Sequence, residues 1–125
     1  MPLFLYSIEP PPAALEPARD LERGRAIFDA QCRTCHDGLA LSGDPTELAR
    51  IGTEPELASG HARGTGTYRP SPLLRVRDAA PYLHHGAVES LEALLAADRP
   101  EPGHRFGTEL GEDDRRALLA YLRSL

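Results

Sequence analysis

Residues 32–36 read Cys-Arg-Thr-Cys-His, and no other stretch restricts the folded chain as strongly. Two thiols three positions apart on a turn can reach two neighbouring carbons on the edge of a flat group. The imidazole that follows at once then points at the centre of that group. This is the geometry of covalent haem attachment, with thioether bonds from Cys32 and Cys35 to the porphyrin vinyl carbons and His36 beneath the iron. The same five residues admit three plainer readings. A zinc site needs a second ligand pair at short regular spacing, and none follows. A thioredoxin-like redox pair needs a βαβ context, which is missing. The third is a chance match with inert thiols. A disulfide between positions so close would constrain the unfolded chain little.

The second axial ligand is approached by elimination. The sole methionine is Met1, across a Pro-rich stretch, and all 14 basic residues are arginine, so lysine cannot serve. His61, His84, His85, His104, a tyrosine or an open position remain. His61 lies in a Gly-rich loop where a solvated ring is the default. His84 and His85 precede Gly86, with one expected to bond backbone in a tight turn and the other to face solvent. His104 is favoured: it sits in Pro102-Gly103-His104-Arg105-Phe106-Gly107, where flanking glycines let the backbone approach a flat cofactor closely. Arg69, Arg75, Arg77 and Arg105 are candidates for pairing haem propionates, since guanidinium matches carboxylate geometry; the plainer reading of each is solvated surface.

With 125 residues the chain fits one domain, and at 41% apolar residues it can build a compact core that a haem would enlarge. The formal net charge of −5 and the lack of a basic stripe argue against nucleic acid and anionic membrane surfaces as partners. No apolar run approaches the ~18 residues of a membrane span. The first residues lack the basic start and cleavage site of a signal peptide. Haem is normally attached outside the cytoplasm, so a periplasmic or otherwise extracytoplasmic location is expected from the chemistry, with any export signal lying beyond this sequence.

Residues 1–19, with Pro10, Pro11, Pro12 and Pro17, read as a linker or lead-in, and residues 20–125 as the domain. Asp20 is placed to cap a helix running to about Gln31, with Leu21, Gly24, Ile27 and Phe28 on one face. From Asp37 to about Pro72 the chain is rich in Gly, Pro, Thr and Ser. It reads as loop with a helical turn near Thr46–Arg50, long enough to imply that it wraps something. Ser90 can cap a helix over Leu91, Leu94 and Leu95. A last helix starts near Gly111, with Glu112, Asp113 and Asp114 in its first turn and a buried stripe of Leu118, Leu119, Leu122 and Leu125 with Tyr121. No strand pattern stands out, so the expected class is all-α with long loops.

Several segments resemble a known family. Gly24-Arg25-Ala26-Ile27-Phe28 before the Cys-x-x-Cys-His run looks like the start of many cytochrome c domains. More specific are Tyr68-Arg69-Pro70-Ser71-Pro72-Leu73-Leu74-Arg75-Val76 and Ala80-Pro81-Tyr82-Leu83-His84-His85-Gly86-Ala87-Val88, followed by Ser90-Leu91. This series is similar to the C-terminal haem domain of the bacterial dihaem cytochrome c peroxidase superfamily. Gly103-His104-Arg105-Phe106-Gly107-Thr108 and the closing Ala117-Leu118-Leu119-Ala120-Tyr121-Leu122 look most like its rubber-oxygenase branch. The resemblance implies a cytochrome c-like fold, with the first and last helices packed across each other and Gly24 and Phe28 meeting Tyr121 or Leu122. It implies that this haem is the electron-transfer one and that His104 is its distal ligand. Family members carry two haems, whereas this chain has one attachment run, and the peroxidases use a methionine that is not available here. The opening Tyr6-Ser7-Ile8-Glu9-Pro10-Pro11 resembles their interdomain linker, which suggests a fragment or a detached half.

The function expected is therefore single-electron transfer through one covalent haem c with two histidine ligands, to a redox partner protein or a second haem domain. A haem-dependent peroxidase or oxygenase with an open iron position is the alternative, and a structural zinc module a distant third.

Overall fold

A computed structural model describes residues 4, 7–9, 11–13 and 15–125. Met1, Tyr6 and Pro10, which entered the readings of the lead-in and of the iron ligands, lie outside the described residues.

The first long helix, α1, spans Ala18–Gln31. It begins three residues earlier than the sequence suggests, with Pro17 and not Asp20 at its N-cap. Proline has no N–H to leave orphaned there, and its carbonyl accepts from the amides of Asp20 (2.9 Å) and Leu21 (3.1 Å). Asp20 is consequently not the cap. It is buried in the first turn and faces Arg116 of the closing helix at 3.7 Å.

The closing helix, α5, spans Glu112–Ser124 with Gly111 at its N-cap, as the sequence suggests. Its three acids in the first turn and Arg123 in the last match the helix dipole at both ends. Helices α1 and α5 cross at backbone contact. A Cβ on Gly24 would stand 2.0 Å from the Ala117 carbonyl oxygen, so only glycine admits this approach. Next to it the Phe28 and Tyr121 rings meet at 5.3 Å with planes tilted by 54°. Phe28 and Leu118 are fully buried, and Leu119 and Leu122 extend the contact into the main core.

Between these helices the chain is mostly loop, with short helices α2 (Leu48–Ile51), α3 (Pro55–Ser59) and α4 (Leu91–Leu94). Ser90 caps α4, its hydroxyl accepting from the Ala93 amide at 3.0 Å. Single 3-10 turns cover Leu39–Leu41 and Val76–Asp78. The expected helical class with long loops holds, and it carries one short strand pair. Strands β1 (Thr46–Glu47) and β2 (Thr67–Tyr68) form an antiparallel pair, Thr46 opposite Tyr68 and Glu47 opposite Thr67. Two residues are too few to show a period of two, so the pairing left no sequence signal. It closes the base of the long loop, and Tyr68 reaches back to donate to the Glu54 carbonyl at 3.2 Å.

Residues 76–88 form the wall opposite α1. Tyr82 and Val88 exchange backbone hydrogen bonds, and the buried Tyr82 hydroxyl donates to the Val76 carbonyl at 2.8 Å. Val76, Val88, Leu91 and Leu95 then complete the core with Phe28 and the α5 leucines.

Candidate functional site

Helix α1 runs straight into the Cys-x-x-Cys-His turn. The amides of Cys35 and His36 both return to the Cys32 carbonyl, at 3.1 and 3.0 Å, which holds all three side chains on one turn. Both thiols are free and partly buried. Burial, and then the neighbouring Cys35, push the Cys32 thiol up to about 11. A low-pKa redox cysteine shows the opposite shift, towards the thiolate.

His36 is 9% exposed, and its Nδ1 lies 2.9 Å from the Leu41 carbonyl oxygen. A carbonyl only accepts, so Nδ1 carries the proton and the lone pair sits on Nε2, free for a metal. The backbone that presents this carbonyl is unusual: Ala40 and Leu41 both have positive φ, 58° and 57°. Consecutive left-handed non-glycine residues are costly and mark a segment held in place by its surroundings.

His104 approaches from the other side on a loop fixed at several points. Gly103 has φ 77°, and a Cβ there would come within 2.5 Å of the Thr53 Cβ. The His104 amide donates to the Ile51 carbonyl at 2.7 Å, and its own φ is 45°. Arg99 Nη2 donates to the carbonyls of Gly103 (2.6 Å) and His104 (3.0 Å). Phe106 leans edge-on to the His104 ring at 5.5 Å. Burial first, then the neighbouring His36 and Arg99, lower His104 to about 4, which keeps the ring neutral and able to donate a lone pair. Its Nδ1 is buried without a hydrogen-bond partner among the described residues.

The two rings stand 6.5 Å apart, centre to centre, with planes 74° apart. A metal–imidazole bond of about 2.0–2.1 Å, with the ring centre about 1.2 Å further on, places two trans ligands of one iron roughly 6.4 Å apart. On a tetrahedral zinc the same rings would stand roughly 5.2 Å apart. The residues present therefore fit a haem iron between them better than zinc.

Of the other histidines, His61 is exposed. His84 Nε2 lies 3.1 Å from a Glu54 carboxylate oxygen, and His85 Nδ1 accepts from the Ala87 amide at 3.2 Å. The expectation that one of the pair bonds backbone in a tight turn thus holds for His85. Three of the four arginines considered for propionates are engaged elsewhere: Arg75 with Asp78, Arg77 with the carbonyls of Arg123 and Pro11, and Arg105 with the Arg99 carbonyl. Arg69 is exposed. The arginine that does border the His104 loop is Arg99. Its place in Asp98-Arg99-Pro100 looks like surface turn, and only the tertiary packing buries it.

A cytochrome c family model matches residues 21–125. The chain belongs to the cytochrome c family, whose domains bind haem c and transfer electrons. Among its relatives, cytochrome c551 peroxidase of Pseudomonas aeruginosa is 31% identical over 81% of this chain and 32% of its own length. Methylamine utilization protein MauG of Methylorubrum extorquens is 32% identical over 85% of this chain and 34% of its own length. Both fall in the dihaem cytochrome c peroxidase superfamily that the segments from Tyr68 onward resemble. The chain spans about a third of the length of these relatives. No solved structure gives a significant match. No helix among the described residues is long and apolar enough to cross a membrane.

Proposed function

We propose that Cys32 and Cys35 carry the haem through thioethers, that His36 and His104 are its proximal and distal axial ligands, and that residues 20–125 form a one-electron relay with a closed iron. The 6.5 Å separation of the two imidazoles supports this reading most directly. The bound haem supplies an iron that takes up and releases one electron. The protein's part is positional. The Leu41 carbonyl fixes the His36 tautomer and strengthens its donation to the metal. Ile51, Gly103 and Arg99 hold His104 so that the same six-coordinate sphere serves both oxidation states, which keeps reorganisation small during transfer. Two histidines place the potential below that of a His/Met site of equal burial.

The electron partner is a redox protein or a second haem domain, and residues 1–19 are a linker or lead-in to the domain of residues 20–125. The third-length match to a cytochrome c551 peroxidase favours the second haem domain, with peroxidase or oxygenase chemistry belonging to the larger assembly. Covalent attachment of haem places the domain outside the cytoplasm, in the periplasm or an equivalent compartment.

The test is an absorption spectrum, oxidised and reduced, of protein matured in the periplasm. Sharp low-spin bands with haem that survives acid-acetone extraction are expected. A high-spin spectrum would give the iron an open position and favour direct peroxide or oxygen chemistry. Protein that carries zinc in place of covalent haem would end the haem reading.

A further inference from the structure

Arg99 is the most deeply buried charged side chain in the molecule, at 4% exposure. A guanidinium has five N–H donors and no acceptor. Nη2 spends its pair on the Gly103 and His104 carbonyls, whereas Nε and Nη1 are buried with no partner among the described residues. Among the described residues no carboxylate forms an ion pair with it; burial and the nearby Arg105 charge disfavour its cation, and Glu101 offsets them only at longer range. Two carbonyls do not neutralise a cation, and an unpaired buried charge is strongly disfavoured. Packed against the Cα of Gly103 lies a second orphan: the Thr53 hydroxyl, 5% exposed and without a partner among the described residues. Two unsatisfied donor groups thus adjoin one glycine, next to the residue that faces His36. They ask for an anion that is itself brought indoors, and the cofactor of a cytochrome c carries two carboxylates.

We propose that Arg99, with the Thr53 hydroxyl that also adjoins Gly103, is the recognition site for a haem propionate, so that one guanidinium latches the cofactor and the distal-ligand loop together. The inference rests on the haem reading above. It assigns to Arg99 a positioning role: Nη2 holds the carbonyl of the distal ligand itself, while Nε and Nη1 hold the cofactor. Arg75 and Arg77 are turned to Asp78 and to the Arg123 and Pro11 carbonyls, and Arg105 holds the Arg99 carbonyl, so Arg99 itself is the arginine assigned to the propionate.

The experiment is infrared difference spectroscopy of the holoprotein matured with haem whose propionate carboxyls are carbon-13 labelled, followed through a pH titration. Wild type is compared with Arg99→Gln and Thr53→Val. An ordinary carboxyl titrates near about 4. In wild type one labelled carboxyl stays ionised well below that range. Arg99→Gln raises its midpoint by about one unit or more, a tenfold gain in proton affinity, and Thr53→Val raises it by less. Two wild-type propionates with ordinary midpoints would overturn the proposal, as would a low midpoint that Arg99→Gln leaves in place. If Arg99→Gln loses its low-spin spectrum, wild type and Thr53→Val decide, since valine leaves the Nη2 bonds intact: a raised midpoint supports the site, an unchanged one overturns it. Protein without covalent haem fails at the visible spectrum, which separates failure of the underlying reading from failure of this one.

Discussion

The imidazole planes of His36 and His104 cross at 74° with their centres 6.5 Å apart. The expectations about the iron follow from that pair, and two more from the helix crossing and the core around it.

Removing the distal ring is the first. If His104 is the second axial ligand, as proposed, His104→Ala removes the sixth ligand of the iron while His36 and both cysteines remain. The oxidised spectrum is expected to move from low-spin to high-spin, and the reduced protein to gain carbon monoxide binding that wild type lacks. Imidazole added to the buffer restores the low-spin bands. An unchanged spectrum in the variant would remove His104 from the ligand role.

The crossed planes carry a second expectation. Each imidazole donates π density to one of two iron d orbitals, and nearly perpendicular rings donate to both about equally. The two orbitals stay close in energy and the ferric ion keeps a large orbital moment. Electron paramagnetic resonance of the oxidised protein should therefore show a single low-spin feature at unusually high g. A rhombic three-line signal, the mark of parallel rings, would contradict the crossed arrangement.

Gly24→Ala tests the crossing of the terminal helices. The added methyl would meet the Ala117 carbonyl and the Tyr121 Cβ, both in helix backbone or near it, so the helices must part. Overpacking of this kind costs about 1–3 kcal/mol, which at this chain length corresponds to a fall in Tm of roughly 4–12 °C. Thermal denaturation followed by the haem absorbance measures it, and a Tm equal to wild type would mean the helices are not in contact at this point.

Tyr82→Phe isolates one buried hydrogen bond. The Val76 carbonyl loses the Tyr82 hydroxyl but keeps the Ala79 amide at 3.1 Å, while the ring still fills its place in the core. A loss of about 1 kcal/mol is expected, read from denaturant unfolding with an unchanged slope. The haem spectrum should not move, because Tyr82 acts through the core.

The parts of this molecule that were legible in the sequence are those whose signal is local. The stripe of α5, the Ser90 cap and the Gly24–Phe28 face each need only a few neighbouring residues to be read, and each is where the sequence suggests. The attachment run is equally local. The pairing of His36 with His104 spans most of the chain, and it was reached by elimination and by resemblance. What stayed hidden lacks a local signature. Pro17 displaced Asp20 as the start of α1 because the acid is drawn inward to Arg116, a partner far along the chain. The β1–β2 pair is two residues long. Arg99 reads as a surface arginine in a turn until the carbonyls of Gly103 and His104 draw it inside. The Leu41 carbonyl that orients His36 is backbone, and backbone acceptors are invisible in a list of side chains.

That last contact divides the site into halves with different evolutionary exposure. The partner of His36 is a main-chain oxygen, present whichever residue stands at position 41, so a point mutation there can disturb its aim but cannot delete it. The partners on the His104 side include the side chain of Arg99, which one codon change removes. Variation among descendants of this chain should then concentrate its effect on the distal half, while the proximal half stays chemically constant.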